Sequence, residues 1–192
     1  MDRTATYTIE GFNYQFNKSI LEILKADSNT NIMLEGYIED IDVFTKDGIT
    51  AIQCKYYDAN EKITTSTLTK PILDMIMSFL EDDNINYELY IHYNGVIKES
   101  TVEFNLEMLE NILKTKNKNY IKKYFPLIYN FEQEEIITIF EKKELTDEDV
   151  ETIHNYLESI KEEKIKFDKE KFINSIKIIS ALSNDELIDK IV

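Results

Sequence analysis

The residues best equipped for chemistry lie between Glu35 and Lys55, in the run E-G-Y-I-E-D-I-D-V-F-T-K-D-G-I-T-A-I-Q-C-K. Asp47-Gly48 between two apolar runs is a strong hairpin signal. With that pair as a two-residue turn, Lys46 faces Ile49, Asp42 faces Gln53 and Asp40 faces Lys55. Cross-strand partners share a face, with Cβ atoms about 5 Å apart. Two carboxylates, an amide oxygen and an ammonium then converge, and a shift of two in the pair sum leaves that convergence intact. Asp42, Gln53 and Asp40 offer the oxygens that a hard cation such as Mg²⁺, or alternatively Mn²⁺, requires. Lys55 beside them can orient or deprotonate a water and stabilise charge growing on a phosphorane. Those are the ingredients of phosphodiester hydrolysis. The same residues would also suit a solvated hairpin face or an ion-pair ladder.

Several elements must hold this segment. Phe12, Phe16, Ile20, Ile23 and Leu24 recur at helical spacing, predicting a helix over Gly11–Lys25. Its other face carries Gln15, Ser19 and Glu22. Ile32–Phe44 reads as extended chain interrupted at Gly36, and Ile49–Tyr57 as the returning strand. Thr64–Thr69 leads into a helix with Pro71 in its first turn, ending near Leu80. Tyr87–Tyr93 alternates as a further strand, closed by Asn94-Gly95. This order predicts an α/β arrangement around one mixed sheet. After about residue 105 the pattern turns helical. Thr146 and Ser183 are N-caps, and Asp168 starts a helix expected to run through Ile179. The expected organisation is a first domain over 1–105 and an all-helical region over 106–192.

The order of Asp42 on one strand and Gln53-Cys54-Lys55 on the next resembles the PD-(D/E)XK, restriction-endonuclease-like superfamily. The Gln-x-Lys form, followed by Tyr56-Tyr57, resembles its Mrr-like branch. Glu35-Gly36, Glu39-Asp40-Ile41-Asp42 and the helix-opening Gly11-Phe12-Asn13-Tyr14-Gln15 are similar to double-stranded-DNA nuclease domains of bacterial antiphage effectors. The resemblance spans roughly residues 7–95. It implies a restriction-endonuclease-like sheet flanked by helices, a Mg²⁺ site, and an assisting acid on the first helix, for which Glu22 is the candidate. The sequence departs from the superfamily pattern in having no Pro before the acid and Gln in place of Glu.

Composition bounds the alternatives. The chain has 192 residues, 43% of them apolar, enough for a sizeable core. A single Cys excludes an internal disulfide and a Cys-based zinc centre. No apolar run approaches the roughly 20 residues of a membrane span, and the first residues lack a secretory layout, so a cytoplasmic protein without membrane partners is expected. The net charge of −15 is uneven. Glu132–Glu163 holds twelve acidic against three basic residues, a local balance of −9, whereas Lys114–Lys123 carries five lysines and no acid. The expected function is a metal-dependent DNA endonuclease acting in antiphage defence, with the helical half docking an ATPase or sensor subunit, or forming a homo-oligomer. The alternative is a catalytically inactive nuclease-like adaptor in a multi-subunit assembly. An acidic DNA mimic is a third option.

Overall fold

Ile41 and Val43 in one run, and Ile52, Cys54 and Tyr56 in the next, are apolar at alternate positions, so these runs pair as strands instead of coiling. The computed structural model describes residues 3–94, 96, 98–160 and 164–192. In chain order the elements are α1 (Arg3–Lys25), β1 (Asn31–Leu34), β2 (Ile41–Thr45), β3 (Gly48–Tyr57), α2 (Thr65–Glu81), β4 (Asn86–Tyr93), β5 (Ser100–Val102), α3 (Leu106–Leu113), α4 (Lys118–Ile128), α5 (Glu134–Glu141), α6 (Asp147–Ser159), α7 (Lys169–Ser175), β6 (Ile176–Ser180) and α8 (Asn184–Ile191). The turn expected after β4 includes Gly95, which lies outside the described residues.

The strands form one mixed sheet in the order β1-β2-β3-β4-β6-β5. β1, β2 and β3 are antiparallel neighbours, β3–β4 and β4–β6 are parallel, and β5 runs antiparallel to β6. The α/β class with a mixed sheet flanked by helices is therefore as the sequence predicts. Two expectations change. Ile32–Phe44 is two strands, because the chain reverses through residues 35–40. The region after residue 105 is not all helical: the helix begun by Asp168 ends at Ser175, and Ile176–Ser180 enters the sheet beside β4. Ile176, Ile178 and Ile179 fit a buried strand as well as a helix, so periodicity over five residues could not separate the two.

The chain divides into two compact units, each discontinuous. The first comprises Met1–Thr64, Asn84–Phe104 and Asn174–Val192, and so contains the sheet, α1 and α8. The second comprises Thr65–Asp83 and Asn105–Ile173. The 1–105 and 106–192 expectation thus differs in that α2 belongs with the helical unit and the last nineteen residues belong with the sheet. Within the helical unit, Phe79 packs edge-on to Phe172, with ring centroids 5.1 Å apart, and Ile112, Ile121, Phe125 and Ile153 are fully buried. The capping box Thr146–Asp149 starts α6. No helix among the described residues is long and apolar enough to cross a membrane.

In the first unit, α1 lies on the sheet through Tyr14 and Leu21, which join Ile41, Ile52, Cys54, Tyr90 and Ile179 in one apolar cluster. Lys18 enters this interface too. Its ammonium donates to Glu22 at 2.8 Å and to Glu88 of β4 at 3.0 Å, and lies 4.1 Å from the centre of the Tyr90 ring. Burial alone would lower the Lys18 pKa, but Glu88 and Glu22 outweigh it and hold the ammonium above its usual value. Burial would likewise raise Glu22, yet Lys18 and Lys25 keep its carboxyl below the ordinary range. A depressed carboxyl adds stability above the unfolded value, about 4.3, and loses it as pH falls through the lower folded value. The raised lysine adds stability below about 10.4, lost as pH rises through its higher folded value. Lys18→Met, which strands Glu88 and leaves Glu22 with Lys25 alone, is expected to cost about 3–5 kcal/mol at pH 7 in urea denaturation. The difference from wild type should shrink as pH falls through the depressed range in which Glu22 takes up its proton.

Candidate functional site

The hairpin that carries the predicted site turns at Lys46-Asp47, not at Asp47-Gly48. Thr45 pairs with Gly48, and Gly48 has φ of +135°, a conformation open to glycine, so the glycine follows the turn. As a result Asp42 faces Ala51 rather than Gln53. Because the pair sum moves by two, the facing survives. Asp42, Ala51, Gln53 and Lys55 project to one side, with Gln53 diagonal to Asp42, while Ile41, Ile52, Cys54 and Tyr56 project to the other.

Asp42 is fully buried. Its Oδ2 accepts the backbone N–H of Ile38 and its Oδ1 that of Glu39, both at 3.1 Å. The loop that supplies these donors is closed by Glu35 N–H to Asp40 O at 2.9 Å and Gly36 N–H to Glu39 O at 3.1 Å. A Cβ at Gly36 would sit 2.1 Å from Asp42 Oδ2, so only glycine lets the carboxylate into this position. The β1–β2 loop is folded around the Asp42 side chain.

Gln53, also buried, donates from Nε2 to Glu39 Oε2 at 2.7 Å, while its Oε1 has no hydrogen-bond partner. Glu39 has no role in the sequence expectations; holding the Gln53 amide gives it one, and its position three residues before Asp42 was the available signal. Lys55 follows on the same face, half-buried. Asp40 lies beyond the end of β2 and its Oδ2 accepts the Cys54 N–H at 2.8 Å, prolonging the pairing by a side chain. Partial burial pushes the Asp40 carboxyl up, against the opposing pull of the Cys54 N–H and Lys55. The Cys54 thiol is buried and pushed far up, which leaves it inert.

Glu22 is not brought to this group. It is tied to Lys18 and Lys25, and through Lys18 to Glu88 and Tyr90, residues on the Cys54 face of the sheet. Neither histidine is placed for catalysis. His92 Nδ1 lies 3.0 Å from Ala181 O, and His154 Nε2 lies 3.0 Å from Thr115 O. The basic run is partly neutralised where it stands, with Lys118 on Asp147 at 2.8 Å and Lys123 on Asp74 at 3.5 Å.

Among the described residues, no group of three or more His, Cys, Asp or Glu side chains could hold a metal ion. The donor set that remains is a carboxylate and an amide oxygen. Each Asp42 oxygen accepts one N–H and retains a lone pair, and Gln53 Oε1 is an orphaned buried acceptor, which costs about 1–3 kcal/mol unless something satisfies it. Mg²⁺ is commonly held by one or two protein groups with water and phosphate completing the shell. Asp42 and Gln53 carry oxygens of the kind such a site takes, on one sheet face. No family model, curated protein or solved structure matches the chain. The functional reading therefore rests on the residues alone.

Two substitutions test how far Asp42 organises its loop. Gly36→Ala is expected to destabilise by about 1–3 kcal/mol through overpacking against the carboxylate. Asp42→Asn should cost about 1.5–3 kcal/mol, since one backbone donor loses a charged acceptor. The double variant should lose less than the sum, a coupling that thermal or urea unfolding of all four proteins would measure.

Proposed function

We propose that this chain is a Mg²⁺-dependent endonuclease domain of the PD-(D/E)XK type that cuts double-stranded DNA as an effector of bacterial antiphage defence. The observation that carries the reading is the buried, partnerless Gln53 Oε1, on one sheet face with Asp42 and Lys55. A buried acceptor without a donor is uncommon, and a ligand that supplies positive charge removes the penalty. The antiparallel β2–β3 hairpin, with parallel β4 beyond it and α1 across it, is also compatible with the restriction-endonuclease-like fold that the motif order implies.

In this reading Asp42 and Gln53 would hold the cation. Glu39 engages the amide nitrogen and leaves the oxygen unbonded. Bound Mg²⁺, with Mn²⁺ as a substitute, would supply Lewis acidity toward the phosphate and acidify a water. Lys55 would orient that water or take its proton and donate to the phosphate oxygens. Asp40, beside Lys55 with its carboxyl pushed up, would adjust the local charge. Glu22 stays in the Lys18 ion group and takes no part. The acidic helical region is suited to a protein partner, such as an ATPase or sensor subunit, that brings DNA to a chain of net charge −15.

A second reading is favoured by one observation: Asp42 has no exposed surface and both its oxygens hold the β1–β2 loop. That is the arrangement of a nuclease-like adaptor whose acid has become structural. Plasmid nicking with Mg²⁺ or Mn²⁺, alone and with partner, separates the two. The nuclease reading expects Lys55→Ala to reduce the rate by about 10²–10⁴ without loss of stability. Gln53→Glu should preserve or increase the rate. No metal-dependent nicking by the wild-type protein under either condition, with Glu148→Lys and Glu151→Lys disrupting assembly, would leave the adaptor.

A further inference from the structure

The outward face of α1 is apolar and bare. Ile9, Phe12, Phe16, Ile23 and Leu24 are 49–63% exposed, at spacings of three, four, seven and one. On a helix with 100° per residue they fall within a third of its circumference. Nothing on the sheet side requires them there, because Tyr14, Leu21 and Lys18 fill the inward face. Leu34, 41% exposed, extends the surface onto β1, lining a shallow cavity with Phe12 and Phe16.

Soluble monomers seldom leave contiguous apolar patches larger than a few hundred Å² uncovered. Large side chains bury about 150–250 Å² each, so at the exposures above these six offer on the order of 500–700 Å². One side of a standard interface buries about 800 Å², and the stripe with its polar margin is of the size that a stable pair needs.

The charge pattern selects the occupant. The chain is strongly acidic, yet the stripe along α1 holds no formal charge: Asn13 lies within it, Lys18 is buried, and Glu22 is tied to Lys18 and Lys25. Acids enter only at the β1 margin, where Glu35 and Asp40 line the cavity beside Leu34, and these accept from Gln15 and from the Cys54 N–H. A basic partner would meet counter-charge only at that margin, whereas a second copy packed on α1 would meet an uncharged apolar stripe identical to its own. β1 is moreover an edge strand of the sheet, and the patch runs onto it.

We infer that the exposed face of α1 is a homodimer interface, in which two copies pack α1 against α1 across a two-fold axis near Phe16. Phe16 stands at the middle of the stripe, so a two-fold contact brings it close to its own counterpart, as an isologous interface requires. The inference is independent of the nuclease reading and would stand with either function.

Light scattering during gel filtration tests it with the intact chain. The wild type should elute at about 45 kDa, twice its 22.7 kDa, and the dimer fraction should rise with salt as repulsion between the acidic copies is screened. Phe12→Glu with Phe16→Glu should give a 22.7 kDa species with unchanged far-ultraviolet circular dichroism. Phe16→Cys should form an intermolecular disulfide under mild oxidation, while the wild type, with only buried Cys54, should not. This arm remains decisive if the charged variant fails to fold. A wild type that stays monomeric at millimolar concentration, a doubly substituted chain that remains dimeric, or Phe16→Cys that does not crosslink would each overturn the inference.

Discussion

A buried ammonium fixes how the sheet unit is built. Lys18 sits almost wholly out of water, and taking an ammonium there costs several kcal/mol unless it is paired. Glu22 supplies one oxygen from the same helix and Glu88 another from β4, while the Tyr90 ring lies beneath. These contacts allow one rotation of α1 about its axis. Turning the helix by a single residue would carry Lys18 away from Glu88 and bring polar Ser19 or Asn17 over the ring. The orientation that satisfies Lys18 also drives Tyr14 and Leu21 inward and leaves Phe12 and Phe16 outward.

That outcome explains part of what the sequence does and does not disclose. The Phe12, Phe16, Ile20, Ile23 stripe marks α1 as a helix and points to the wrong face as the buried one. Nothing in spacing tells that Lys18 will be paired by a glutamate seventy residues later. The hairpin was legible because Asp-Gly punctuates two alternating runs, and the facing of Asp42, Gln53 and Lys55 followed, since alternation survives an even shift in register. The turn itself moved by one residue, because Gly48 is used for its positive φ after the turn. β5 and β6 were not legible: three and five residues are too few to carry a period, and their partners are remote. Burial of Asp42 was hidden for a related reason. The loop that closes on it depends on Gly36 having no side chain, a fact of three-dimensional approach and not of spacing.

Asp42 and Gln53 are tied into one loop. The carboxylate gathers two loop N–H groups, and through Glu39 the same loop clamps the Gln53 amide. Loop shape and amide orientation are thus set together. A loop that relaxes from Asp42 would also release Glu39, so the two potential donors change state jointly. The unsatisfied Gln53 oxygen is the point where this closed set of bonds is incomplete.

The entry of β6 beside β4 has a consequence for the life of the chain on the ribosome. Leu89 pairs with Ile178, 89 residues later, and every residue of the helical unit from Asn105 to Ile173 is made in between. At about 5–20 residues per second, β4 waits on the order of 5–20 s for its second neighbour. Throughout that interval its backbone edge, flanked by Leu89, Tyr90 and Ile91, is open to any passing strand. The helical unit, whose later segment is contiguous, can form during this delay. The sheet cannot close until Ile176–Ser180 is threaded out, so the edge of β4 needs protection for as long as the helical unit is being made.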